Sequence, residues 1–237
     1  MKNILLFVIF CIVSLTFNTG ALWGEIICVD PSGGGDYTNL QNALDYAETN
    51  GADDVIQVVQ GTYTGNFTYR SSQGRTIILE GGYVPSTACS ERVDDPTNTV
   101  LDGNLSGNVL ILSNNSGGDI LVDGFTIRNG VASTNGGGIY AQSYSSSGTA
   151  NNVTITNNII TNNSASSGGG VYARSTGQTS SGTITLIANL LAENTVDSRC
   201  GGVHARSSSA SGNAGDVILT NNTIVGNIAD SDNAGVY

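Results

Sequence analysis

The chain has 237 residues, with 19 acidic against 8 basic and a formal charge of -11 at neutral pH, a balance that excludes a general nucleic-acid binder. Only 11% of residues are charged, too few to keep a disordered acidic chain solvated, and 3 prolines with no Gly-X-Y period exclude collagen. Gly contributes 32 residues and Asn 26, in a length that suits one large domain or two small ones.

Lys2 precedes a mostly apolar run from Ile4 to Phe17, followed by Asn18, Thr19, Gly20 and Ala21. This is the order of a secretory signal peptide, spanning 1–21, with cleavage after Ala21 or as late as Gly24. The run is shorter than the roughly 20 apolar residues that cross a bilayer core, so no transmembrane segment is expected in the mature chain. Cys11 lies inside the apolar run and does not resemble a lipoprotein acylation site. Removing the segment removes the only lysine and leaves seven arginines against 19 carboxylates. Three cysteines remain, Cys28, Cys89 and Cys200. Export permits one disulfide and leaves one thiol over. Cys28 with Cys89 is the preferred pair, because both lie in the non-repetitive N-terminal part.

Residues 25–118 read as a cap and first coils. Thr38 is placed to cap a helix whose Leu40, Ala43, Leu44 and Ala47 follow an i, i+3, i+4, i+7 stripe. Strand-like runs follow at Val55–Val59 and Thr76–Leu79, with a turn at Gly61. A helix laid over the first coil would cover an open sheet edge.

Residues 119–237 are a repeat of about 32 residues. Asp119–Ala132 aligns with Asn152–Ala165, Thr183–Val196 and Asp216–Ala229. Val122, Ile155, Leu186 and Leu219 share one apolar slot; Ile127, Ile160, Leu191 and Ile224 share another. A second block follows each copy, Gly138-Ile139-Tyr140, Gly170-Val171-Tyr172, Gly202-Val203-His204 and Gly235-Val236-Tyr237. Short β-branched runs between Asn, Gly and Ser turns read as strands. Strands this short bury little alone, so the copies are expected to stack as a β-solenoid about 4.8 Å apart. Asn158, Asn189 and Asn222 fall in one slot and Asn163, Asn194 and Asn227 in another, suited to stacked amide ladders and to left-handed corners. The sequence stops at Tyr237 inside the second block, which reads as a C-terminally incomplete array.

The stretch IICVDPSGGGDYTNLQNALDYA, with DDVIQVVQGTY and TIILEGGY after it, resembles the start of right-handed parallel β-helix proteins of the pectin-lyase-like superfamily. Gly81–Gly103, followed by Val122-Asp123-Gly124-Phe125, is similar to bacterial surface members of that group. The recurring Asn and Gly-Gly-(Ile/Val) blocks resemble the passenger repeats of polymorphic outer-membrane proteins, with Ile160, Leu191 and Ile224 in the Phe slot and Gly138, Gly170 and Gly202 in the Ala slot. The resemblance implies an all-β, right-handed parallel β-helix with an N-terminal capping helix, at the cell surface or outer membrane or secreted.

Candidate chemistry is thin. The Asn-Thr-Asp and Gly-His-Gly segments that a pectin-hydrolase resemblance requires are absent, as is the Gln-Asp-Thr of pectinesterases. Asp53-Asp54 and Asp94-Asp95 read better as turn residues than as an acid–base pair. Asp230-Ser231-Asp232-Asn233 lacks the Gly and the closing Glu of a calcium loop, and Gly33-Gly34-Gly35-Asp36 stands alone. No metal or cofactor and no catalytic residue is expected. Period two points Ile139, Val171 and Val203 inward, and Tyr140, Tyr172 and His204 outward, with Gln142, Arg174 and Arg206 on the same outer face. Tyr has an apolar body with a polar tip for sugar rings, and Arg pairs acidic groups in bidentate fashion. The plainer reading of His204 is that it merely continues the stack. The expectation is therefore a non-catalytic passenger, adhesin or scaffold that contacts a surface glycan or acidic polysaccharide through Tyr140, Tyr172, His204, Arg174 and Arg206. A polysaccharide lyase or hydrolase of the pectin-lyase-like group is the alternative.

Overall fold

The computed structural model describes residues 24–231 and 233–237; the signal-peptide reading of residues 1–21 lies outside the described residues. Alternation of apolar and polar residues in short Val-, Ile- and Thr-rich runs gives strands buried on one side only, as in Val153–Thr156 and Ile184–Ile187. Such strands complete their hydrogen bonding between coils, and every strand pairing is parallel, over about six turns. The result is a parallel β-solenoid with one short helix among the described residues.

The first sheet has seven strands, Glu25–Val29, Asp54–Val59, Ile77–Tyr83, Ile120–Asp123, Val153–Thr156, Ile184–Ile187 and Val217–Thr220. The second has six, from Gly61–Thr64 to Thr223–Val225. The third has five, Phe67–Ser71, Leu110–Asn114, Ile139–Ser145, Val171–Gly177 and Val203–Ser209. A fourth, of three short strands, begins only at Ser164–Ser167.

The apolar slots read from the repeats pair in register, Val122 with Ile155, Ile155 with Leu186 and Leu186 with Leu219. The same stack runs on into the N-terminal third through Leu79, Ile56 and Ile27. All of these but Leu219 are buried. Complete burial of each such side chain contributes about 1.5–3 kcal/mol. Residues 54–114 are thus coils of the same solenoid.

Both asparagine slots form ladders. The backbone N–H and the Nδ2 of Asn158 donate to Asn189 Oδ1 at 3.0 and 3.2 Å, and Asn158 Nδ2 also donates back to Val122 O at 3.0 Å. Asn189 repeats the pattern onto Asn222 and Ile155, and Asn163, Asn194 and Asn227 do the same in the second row. The left-handed corner, however, belongs to the residue before each ladder position. Asn157, Ala188 and Asn221 have φ of 51°, 53° and 56°, and Asn162 and Glu193 have 56°. The ladder amides are needed for their hydrogen bonds, and the corner falls on whatever precedes them.

The glycine block follows from the second ladder. A Cβ on Gly138 would lie 2.6 Å from Gly170 O and 2.8 Å from Asn163 Nδ2. At Gly170 the corresponding carbonyl, Gly202 O, is 2.7 Å away. A polar slot that the repeats did not reveal runs along the third sheet, through the buried Ser71, Asn114, Ser143 and Ser175 to the half-buried Ser207. Ser175 Oγ donates to Asn151 O and accepts from Gly182 N–H, both at 2.9 Å, tying the sheet to the turns beside it.

The helix spans Leu40–Ala47 and buries Leu40, Ala43, Leu44 and Ala47. Its N-cap is Asn39, one residue after the predicted Thr38. Asn39 keeps an extended backbone and its side chain accepts from the N–H groups of Gln41 and Asn42. The helix covers the first strand of the third sheet with side chains that imitate a neighbouring strand. Thr68 N–H donates to Gln41 Oε1 at 2.8 Å, and Gln41 Nε2 donates to Thr68 O at 2.7 Å. Arg70 N–H donates to Glu48 Oε1 at 2.6 Å. A disulfide joins Cys28 in the first strand to Cys89 in the excursion after Tyr83, across 61 residues.

Replacing Asn189 with Ala orphans the buried Asn158 N–H and Ile155 carbonyl together. The expected loss is about 2–5 kcal/mol. It should appear as a lowered urea midpoint, with a change at the exposed Asn152 moving the midpoint far less.

Candidate functional site

The outward side of the third sheet carries the residues singled out in the sequence. Strand pairing sets Tyr140 beside Tyr172 and Tyr172 beside His204, and Gln142, Arg174 and Arg206 in the adjacent row. The rows reach further back through Ile111 and Thr68, and through Ser113 and Arg70. No Asp or Glu occupies an outward position of these five strands. Parallel pairing repeats a position at every coil, so Arg70, Arg174 and Arg206 fall in one row, with Ser113 and Gln142 between the first and second.

The rings are stacked along the solenoid axis. Tyr140 and Tyr172 lie 5.4 Å apart and within 5° of parallel; Tyr172 and His204 are 4.8 Å apart, tilted by 40°; His204 and Tyr237 are 5.4 Å apart. Stacking turns ring faces toward each other, so the row presents edges and hydroxyls outward. Tyr140 Oη donates to Gln142 Oε1 at 2.6 Å, and Arg174 Nε donates to Thr176 Oγ1 at 2.8 Å. Broad sugar-ring contact along the whole row, implied by the aromatic residues alone, is limited by this geometry to its ends.

His204 has neighbours that its sequence position did not announce. Ser167 Oγ lies 2.8 Å from Nδ1 and Cys200 Sγ lies 3.8 Å from it. Cys200 is buried. Burial pushes the imidazole below its ordinary 6.5, and the positive charges of Arg199 and Arg206 push it the same way. The charges acting on the ring are cations, whereas a carboxylate partner would raise its basicity. These contacts span 37 and 4 residues, and only the coiling brings Ser167 to the ring.

The paired aspartates brace turns and strand starts. Asp53 Oδ1 accepts Thr76 N–H at 2.8 Å, and Asp95 Oδ1 accepts the N–H and hydroxyl of Thr97. Asp54 is buried at the start of its strand, where desolvation raises it to about 6 despite the hydrogen bond from Asn50. Asp36 Oδ2 accepts Cys28 N–H, making the glycine-rich turn a brace for the first strand. Asp232 lies outside the described residues. Among the described residues no three His, Cys, Asp or Glu side chains come together as a metal cluster, and no helix is long and apolar enough to cross a membrane. No protein-family model, curated protein or solved structure matches the chain.

The chain has a single histidine, so one imidazole resonance reports His204. Its titration midpoint should fall below 6.5. Because folding lowers this pKa, the stabilisation is complete above 6.5 and is lost as pH falls through the folded value. Thermal melts of His204→Gln should lack that component of acid sensitivity; a midpoint above 6.5 would contradict the assignment.

Proposed function

We propose that the protein is an exported, non-catalytic β-helix scaffold of the cell surface that contacts acidic glycans through the outward face of its third sheet. The observation that carries this reading is the carboxylate-free face itself, where Arg70, Arg174 and Arg206 share one row beside the stack of Tyr140, Tyr172 and His204. The guanidinium groups offer bidentate partners to carboxylates or sulfates. Tyrosine hydroxyls and the Gln142 amide supply hydrogen bonds at the sugar edges. Individually weak contacts gain strength by recurring along one polymer. Interlocked coils hold the donors in place before the ligand arrives, which lowers the ordering cost of binding.

A column of immobilised acidic polysaccharide should retain the protein more than a neutral one, despite the overall negative charge. Arg174→Ala combined with Arg206→Ala should weaken retention about tenfold, the worth of two exposed ion pairs, and flatten its salt dependence. Equal retention of the double variant at every salt concentration would reduce the face to solenoid architecture.

Export supports the same reading through the charge, apolar run and small residues of 1–21. Protein recovered outside the cytoplasm should begin near Leu22 or Glu25 by mass spectrometry. Recovery of external protein beginning at Met1 would count against a cleaved signal.

A further inference from the structure

The ring stack stops at Tyr140. In the two preceding coils its slot is continued by Ile111 and Thr68, side chains smaller than a tyrosine ring. A pocket of about 270 Å³ opens there, lined by Arg70, Asn108, Ile111, Thr134, Asn135 and Tyr140. One side of Tyr140 is covered by Tyr172, and its opposite side borders this pocket beside Ile111. Here an aromatic surface meets open space next to a cation.

The walls are fixed before anything binds. Asn108 Nδ2 donates to Asn135 O and Gly136 O at 2.6 Å, and Asn66 Nδ2 donates to Asn108 O at 2.7 Å. Thr134 O accepts the N–H groups of Ser166 and Ser167. Arg70 is held by its strand and by its own N–H, which donates to Glu48 Oε1. Its exposed guanidinium has no ion pair among the described residues, whereas Arg92 and Arg128 engage Asp123 and Asp102.

We propose that this pocket is a subsite for one carboxylate-bearing pyranose at the end of a glycan chain, with the sugar's C–H face on Tyr140 and its carboxylate paired to Arg70. The inference rests on the glycan-contacting reading above and narrows it to a sugar class and a position. Tyr140 and Ile111 supply the apolar floor, Arg70 the counter-charge, and Thr134, Asn108 and Asn135 polar partners for ring hydroxyls. The volume lies just below the roughly 300–1,000 Å³ of sites for drug-sized ligands, which suits a single ring. Tyr172 closes the other side of Tyr140, so the sugar ring enters as a terminal unit and the remaining polymer follows the arginine row outside.

The test titrates the full chain with methyl glucuronide and with methyl glucoside, which differ only in the carboxylate, followed by ligand-observed NMR and calorimetry. The glucuronide should bind about tenfold more tightly than the glucoside, as expected for a charge-assisted hydrogen bond. Arg70→Ala should abolish that difference. Ile111→Tyr, which extends the stack into the pocket, should block both sugars while circular dichroism and polymer retention by Arg174 and Arg206 persist. The Arg174→Ala, Arg206→Ala variant should bind the monosaccharide like the parent chain. Equal binding of the two sugars, or glucuronide binding indifferent to both Arg70→Ala and Ile111→Tyr, overturns the subsite. If polymer retention still depends on Arg174 and Arg206, the subsite falls alone; if retention fails as well, the surface reading falls with it.

Discussion

In the row Asn158, Asn189 and Asn222, the side chains of Asn158 and Asn189 each work in two directions at once. The Nδ2 of each donates back to a carbonyl of the preceding coil and forward to the Oδ1 of the next, and that Oδ1 also accepts a backbone N–H. An aliphatic stack alone would tolerate sliding, since Ile, Leu and Val are nearly interchangeable and their contact is non-directional. A carboxamide buried in that stack is directional, and a slip by one residue would leave several polar groups unsatisfied out of reach of water. The amide rows therefore set register, and register sets which side chains meet on the surface.

The outer face inherits that constraint. A coil-to-coil register means that a residue three positions after an inward valine always lands in the same outward row, so Arg174 and Arg206 are neighbours because Val171 and Val203 are. The same rule stacks Tyr140 on Tyr172 and hides their faces against each other. Regularity thus supplies the basic row and removes the aromatic surface. Where the regularity lapses, at Ile111, the surface returns. The location of the pocket is a property of the interruption and not of the repeat.

The periodic part of the molecule was legible in the sequence because its physical causes are periodic. The apolar slots, the amide slots and the glycine block each recur, and each corresponds to one inter-coil contact. The coils between Asp54 and Asn114 were harder to read. Their strands occupy the same slots, but the excursion after Tyr83 breaks the spacing on which the alignment relied. Contacts made by one side chain across a turn left no trace at all. Gln41 acting as a substitute strand for Thr68, and Ser167 reaching His204, depend on contacts between residues 27 and 37 positions apart in the chain. The outward rows could be listed from period two, while ring orientation could not, since it depends on packing along the axis. Asn39 replaced Thr38 as the cap because Asn39 is the last extended residue before the helix.

The two-directional amide has a further consequence, for how such a molecule can change over generations. Loss of one ladder asparagine orphans groups on both sides, so a single substitution is felt in three coils. Loss or duplication of a whole coil, from one ladder position to the next, rejoins a donor to an acceptor of the same kind. Glycine meets the same carbonyl and valine meets valine. The heritable unit is then the turn of the helix and not the residue, and length varies more freely than composition. Unique chemistry in such a body belongs at positions that duplication does not copy, at the first coils and at the breaks in a row.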